Sequence, residues 1–443
     1  MDNPHHFSRR GFLATSAAAA ASAAGLTGTT THAGERGSAL AIDGGPKAVP
    51  DVLPELKRWG TPEREQLNVT INQNTLFYWQ GPQTTLFTKR FQATYPLKYL
   101  QTCSSGTAAI HIAVAAAGIA PGDEVITTPI TDIGTVIGVI YQQAVPVFAD
   151  LGWNTYNLDP ADVDRKITPK TRAIIAVHLA GNPCRMDELK QLADRHNLVL
   201  IEDCAQAWGA KYRGQPVGTI GHIACFSLQH SKQITCGDGG VVASNDERFG
   251  PLLQSYGDKG GDRIRSTGTF ERFSTNYRAT ELQAAVAAAQ LARLEGIAET
   301  RSRLGNLLGQ KIGGLPGVEP HGIDAADRAT NWFYMFRVQP ERLKCDRAKF
   351  TQALAAEGVM ASAGYIPLPM YGNPVFQRHG FFAGRWPIKE FGLTDMDYSK
   401  VVCPEAEAIQ QQGVRIVIHE GMTDDYISKV GDAIGKVARH FAA

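Results

Sequence analysis

Four short apolar runs recur in the first half of this chain: EVITTP (124–129), PVFAD (146–150), RAIIAVHL (172–179) and LVLIED (198–203). Each is nearly continuous. A strand buried on one face alternates apolar and polar residues, whereas a strand covered on both faces does not. Helical segments separate the runs: TAAIHIAVAAAG (107–118) reads as a buried helix and MDELKQLADRHN (186–197) as an amphipathic one. This rhythm predicts an α/β fold with a large, doubly wound, mostly parallel sheet under helices on both faces.

The pattern changes further along. TELQAAVAAAQLARLEGIAETRSRLGNLLGQ (280–310) reads as one long linking helix. It is followed by a strand-like NWFYMFRVQ (331–339), an amphipathic helix at 346–358 and a final helix at 424–441. A chain of 443 residues suits two domains. We expect a large domain at 34–310, including an extended N-terminal arm, and a smaller C-terminal α+β domain at 311–443. The net charge of +1 gives no footprint for nucleic acid. The seven cysteines include no CxxC pair and no zinc-ligand spacing, so neither a disulfide framework nor a structural metal is expected.

The first 33 residues read as an address. Arg9 and Arg10 precede a stretch from Gly11 to Gly34 without Asp, Glu, Lys or Arg, and Thr31-His32-Ala33 offers a small-residue cleavage site. SRRGFL resembles a twin-arginine export signal. The stretch is too rich in Ala, Ser, Thr and Gly to make a stable membrane span. An uncleaved anchor or a disordered tail is the plainer alternative.

Four stretches carry possible chemistry. SSGTAAI (104–110) opens a helix: Gly106 allows close backbone approach, Ser105 and Thr107 offer hydroxyls, and the helix start favours an anion. A simple cap by Ser104 or Ser105 explains it equally. IEDCAQAWGA (201–210) ends a strand in two acids, at the edge where α/β proteins collect ligands. Asp203 lies further out and could hold a ring nitrogen protonated; Glu202 would point to the opposite face or into the loop. A solvated strand-end acid is the alternative. CFSLQHSKQITCGDGG (225–240) puts Lys232 after a buried strand, where desolvation would lower its pKa and make it nucleophilic. Most lysines, however, are surface lysines. STNYRATELQAA (274–285) places Asn276 before a helix with a Thr280-x-x-Gln283 capping box, or is only a helix entry.

Their order is more specific than any one of them. Phosphate turn, strand-end acid, lysine and Asn-Tyr-Arg is the layout of a pyridoxal-phosphate enzyme of fold type I. The strings SGTAA, GDEV, PVFAD, TYNLDP, VHLAGNPCRMD, IEDCAQAWGA, FSLQHSK, GDGG and NYRATELQAA closely resemble the DegT/DnrJ/StrS aminotransferases, from Gly44 to the C-terminus. The resemblance implies a pyridoxal 5'-phosphate enzyme moving an amino group from an amino acid, glutamate or glutamine, to a keto-sugar or keto-cyclitol. It implies Lys232 as the catalytic Schiff-base lysine and Asp203 on the pyridine nitrogen. Gln206 would lie against the ring or its 3′-oxygen, and Gly106, Thr107 and Ser227 would hold the phosphate. Asn276 would reach the phosphate of the second subunit in a homodimer, and His178 would line the substrate cleft.

Two features depart from the pattern. The family's aromatic in a PxYTF-like stretch is replaced by PITDIGTV (129–136), with Thr131, Asp132 and Ile133 where that ring would be. Most family members also work in the cytoplasm, whereas this chain carries an export-type leader. Two other readings share the fold: an exported protein that binds a sugar or the cofactor without turnover, and a sugar dehydratase, whose known examples replace the lysine with histidine. A dinucleotide-binding dehydrogenase lacks support, since no GxGxxG follows the early strands.

Overall fold

The structure, a computed structural model, describes residues 39–266 and 268–443. The expected export signal at 1–33 lies outside the described residues. Among them, no helix is long and apolar enough to cross a membrane.

Seven strands form the large sheet: β1 (Tyr99–Cys103), β2 (Glu124–Thr127), β3 (Val145–Phe148), β4 (Thr171–Val177), β5 (Val199–Asp203), β8 (Ile223–Ser227) and β9 (Gly240–Ser244). The remaining pair, β6 (Lys211–Tyr212) and β7 (Gln215–Pro216), makes a small ladder of its own. The spatial order is β1-β9-β8-β5-β4-β2-β3, with only β9 running against the rest. The continuous apolar runs are explained by β4: Ile174 and Ala176 join one core, while Ala173, Ile175 and Val177 join the core on the other face. Helices α3 (Gly106–Ala116), α4 (Gly134–Tyr141) and α6 (Met186–Arg195) cover the sheet. They follow α1 (Thr61–Ile71) and α2 (Pro82–Thr94). The second sheet has order β10-β11-β13-β12, all antiparallel: β10 (Val318–Pro320), β11 (Tyr334–Val338), β12 (Ala361–Ala363) and β13 (Gly413–Ile416).

Two expectations need correction. The long helix at 280–310 is two helices, Glu281–Leu291 and Leu294–Ile312. The break follows tertiary contacts rather than a Gly or Pro. At the bend, Gln290 and Arg293 both donate to the Arg58 carbonyl, at 2.7 and 2.9 Å, and both reach the buried Glu63 carboxylate. Nor do the cores divide at residue 310. Leu40 and Val49 of the N-terminal arm pack into the small-sheet core, together with Leu304, Leu308 and Ile312. In the other direction, Met370, Tyr371, Phe376, Trp386, Tyr398 and Ile409 join the large-sheet core. Tyr398 donates to the Pro146 carbonyl of β3 at 2.9 Å.

Candidate active site

The carboxyl ends of β2, β5 and β8 point to one edge of the sheet, where a doubly wound fold collects ligands. Ser227 ends β8 and Asp203 ends β5. The start of α3 is pressed against them. Ser105 caps that helix, accepting from the Ala108 N–H at 3.0 Å. A Cβ on Gly106 would stand 2.7 Å from Ser227 Cβ, so only glycine lets helix start and strand end come this close. Across the gap, a Cβ on Gly134 would stand 2.6 Å from Thr107 Oγ1 and 2.9 Å from Asp132 Oδ1. Gly106, Thr107 and Ser227 therefore form one small cradle of hydroxyls and free helix-start amides, suited to a phosphate.

Asp203 is 5% exposed. Its Oδ2 accepts from Thr135 Oγ1 at 2.8 Å and its Oδ1 from the Ala205 N–H at 3.1 Å. Burial raises its pKa, while these two donors and Lys232 pull it back. The Thr135 hydroxyl also bonds Thr131 Oγ1 at 2.8 Å. The segment that lacks the expected aromatic is thus a hydroxyl relay ending on the strand-end acid.

Lys232 is 8% exposed. Burial lowers its pKa to about 8, against the pull of the Asp203 and Asp132 carboxylates. Its Nζ stands 3.7 Å from the centre of the Trp332 ring. The turn that carries it is gripped from outside: Arg58 donates to the Lys232 carbonyl at 2.7 Å, and Trp332 Nε1 to the Ser231 carbonyl at 2.7 Å. Gln206 completes the group. Its Oε1 accepts from the Ala180 N–H at 2.8 Å and its Nε2 donates to the Tyr365 hydroxyl at 3.1 Å.

One predicted residue falls elsewhere. His178 does not line the cleft. It is fully buried with both ring nitrogens engaged: Nε2 lies 3.1 Å from Glu202 Oε2, and Nδ1 accepts from the Cys184 N–H at 3.0 Å. Successive strand residues face opposite ways, so His178 shares the face of Glu202 and Ala176, not that of Asp203. Glu202 is itself saturated by the Gly218, Ile220 and Gly221 N–H groups. Although the donor atoms of His178, Glu202 and Cys204 lie within 4.8 Å of one another, these bonds make the trio an internal clamp rather than a metal site. Asn276 is exposed, and its Oδ1 accepts from Arg278 Nε of the same chain at 2.8 Å. Conversely, Trp332 and Tyr365 were not singled out by the sequence: Trp332 lies in NWFYMFRVQ, which reads only as a strand, and Tyr365 lies beyond it in a stretch without a motif.

The DegT/DnrJ/EryC1/StrS aminotransferase family model matches residues 60–435. The chain belongs to this family. The L-glutamine:2-deoxy-scyllo-inosose aminotransferase of Streptomyces paromomycinus is 33% identical over 370 residues, covering 80% of this chain and 86% of that protein. GDP-perosamine synthase of Caulobacter vibrioides is 34% identical over 353 residues, covering 79% and 89%. Among solved structures, an aminotransferase from Psychrobacter cryohalolentis superposes with a TM-score of 0.79 at 28% identity, over 88% of this chain and all of that one. A 3-amino-5-hydroxybenzoic acid synthase superposes with a TM-score of 0.76 at 27% identity, over 88% and 100%.

The protein is a pyridoxal-phosphate-dependent aminotransferase of fold type I. Its residues fit the cofactor on structural grounds. The glycine-built cradle at Gly106 and Ser227 suits the phosphate, the buried Asp203 carboxylate suits a protonated pyridine nitrogen, and the desolvated Lys232 amine suits the aldehyde. When bound, the cofactor supplies an electron sink for charge developing on the substrate carbon.

Proposed function

We propose that this aminotransferase moves the amino group of glutamine or glutamate to the carbonyl of a keto-cyclitol or keto-sugar. The carrying observation is the buried Lys232 amine within electrostatic reach of the buried Asp203 carboxylate, at the sheet edge where Gly106 lets the helix start approach Ser227. The names of the relatives support the acceptor class: one is a glutamine-dependent cyclitol aminotransferase and another makes an amino sugar linked to a nucleotide. The export-type leader favours an acceptor free of a nucleotide.

Within this reading, Lys232 Nζ is the group that would take and hold the proton of the donor's α-carbon, the bound cofactor supplying the sink for the electron pair left behind. A pKa near 8 keeps that amine able both to accept and to release a proton near neutrality. Thr135 and the Ala205 amide fix the Asp203 carboxylate, which balances the ring's positive charge. Gln206, held by Ala180 and Tyr365, is oriented for a polar substituent of the ring. The enzyme acts as a homodimer, with the exposed Asn276 of each subunit completing the other's phosphate site, and it works outside the cytoplasm.

Purified enzyme is expected to show the long-wavelength absorbance of covalently held cofactor. Lys232→Ala should lose that band and at least about a hundredfold in turnover, the lower end of what a positioned acid–base contributes. Glutamine and glutamate, each paired with a panel of keto-cyclitols and keto-sugars, identify the substrates. Amination of none of the panel by native enzyme would refute the acceptor class.

A further inference from the structure

The Lys232 amine is buried, yet among the described residues its Nζ makes neither a hydrogen bond nor an ion pair. Buried ammonium groups are ordinarily paired. Two carboxylates draw on this one, Asp203 at the end of β5 and Asp132 on the loop after β2, but it joins neither. What it meets instead is the face of Trp332, with the ring centre 3.7 Å away.

That face is held from several sides. The indole Nε1 donates to the Ser231 carbonyl at 2.7 Å, one residue before the lysine itself. The Trp332 N–H donates to the Ala180 carbonyl at 2.7 Å, and the Thr330 N–H to the Gly181 carbonyl at 3.0 Å. Tyr365 meets the indole edge-on, with ring centres 5.9 Å apart. Ring and lysine turn are therefore fastened to one another. The other titratable groups around them are engaged elsewhere. Arg58 donates to the Lys232 and Ser231 carbonyls, and His230 turns to Trp59 with ring centres 6.4 Å apart. The Tyr365 hydroxyl accepts from Gln206, and burial raises its pKa.

We propose that Trp332 is a positioning residue whose face parks the released Lys232 amine, as an ammonium, between the two halves of the reaction. An aromatic face attracts a cation without accepting its proton. An ion pair with Asp203 would instead occupy both groups at once and leave the cofactor's ring nitrogen without its carboxylate. The indole holds Nζ off that acid and keeps the proton on the nitrogen that must give it back. The inference rests on the reading that Lys232 is the amine that bonds the cofactor.

Capture of pyridoxal 5'-phosphate by cofactor-free enzyme reads this amine directly. The neutral amine adds to the aldehyde carbon, a C=N bond forms and water leaves. The rate at which the long-wavelength band appears therefore rises with pH as Nζ loses its proton, with a midpoint expected near pH 8 in native enzyme. The cofactor's own titrations are common to every variant and cancel in the differences. A tetrafluorinated tryptophan placed at position 332 alone keeps the shape and the N–H but strips the ring face of its negative charge. Its midpoint should fall by about 0.4 to 1.5 pH units, the strength of a cation–π contact expressed in pH. Trp332→Leu should fall at least as far, and Trp332→Phe, which keeps a face without the N–H, less far. An unmoved or raised midpoint in the fluorinated protein overturns the proposal. So does a fall in Trp332→Phe as large as in Trp332→Leu, which assigns the effect to the hydrogen bond with Ser231. If Lys232→Ala retains the band, the reading of Lys232 fails and the proposal with it. If that variant loses the band while the fluorinated midpoint stands still, the proposal alone fails.

Discussion

Lys232 holds a charge where the fold disfavours one. Its folded pKa of about 8 lies below the ordinary 10.5. Protonation therefore favours the unfolded chain: the penalty is complete below about pH 8 and fades as the pH climbs toward 10.5. Lys232→Met should accordingly stabilise the cofactor-free protein at pH 7 by roughly 3 kcal/mol. Denaturant unfolding of both proteins at pH 7 and pH 10.5 measures it; an equal gap at the two values would show that desolvation of the amine is not the cause. At this scale the sequence was legible wherever function follows the local chain. Asp203 at a strand end, Lys232 after a strand and Gly106 at a helix start each carry a local signature; Asp203 and Lys232 feel one another's charge, and Gly106 packs against Ser227 at the end of the neighbouring strand. His178 misled because a strand end offers two faces and the string VHL does not say which one the ring takes. Trp332 and Tyr365 come from separate segments, and no local pattern marks either of them.

Among the elements, α3 and β8 approach one another closely at Gly106 and Ser227. Their approach leaves no room for a methyl group at Gly106, because the obstacle is the Cβ of a strand residue and cannot swing away. Gly106→Ala should cost about 1–3 kcal/mol by overpacking. It should also weaken the cofactor's phosphate grip, so cofactor titration should show a higher dissociation constant even in protein that remains folded. The Thr280–Gln283 capping box was readable because both partners lie within one turn: Thr280 Oγ1 accepts from the Gln283 N–H, and the Gln283 side chain returns to the Thr280 N–H at 2.8 Å. The break between Glu281–Leu291 and Leu294–Ile312 was not readable. It is set by Arg58 and Glu63, more than two hundred residues earlier in the chain.

At the scale of the whole molecule, the two sheets share their chain in both directions. The arm crosses to the small sheet, and the segment from Met370 to Ile409 crosses back to the large one. Periodicity locates strands and helices but not the partner each one chooses, so a linear boundary at 310 was the natural expectation and the wrong one. Residues 313–443 expressed alone should therefore fail to fold, because Tyr371, Phe376, Trp386 and Tyr398 lose the surface that buries them. A well-dispersed NMR spectrum from that fragment would contradict this.

The arm also sets a limit on trimming. Leu40 and Val49 are built into the small sheet's interior, and Arg58 clasps the turn that bears the reactive amine. A leader peptidase cutting ahead of Ala39 would spare all three anchors. A protease that nicked only a dozen residues further on would unseat part of one hydrophobic interior, and one that cut past Arg58 would loosen the catalytic turn as well.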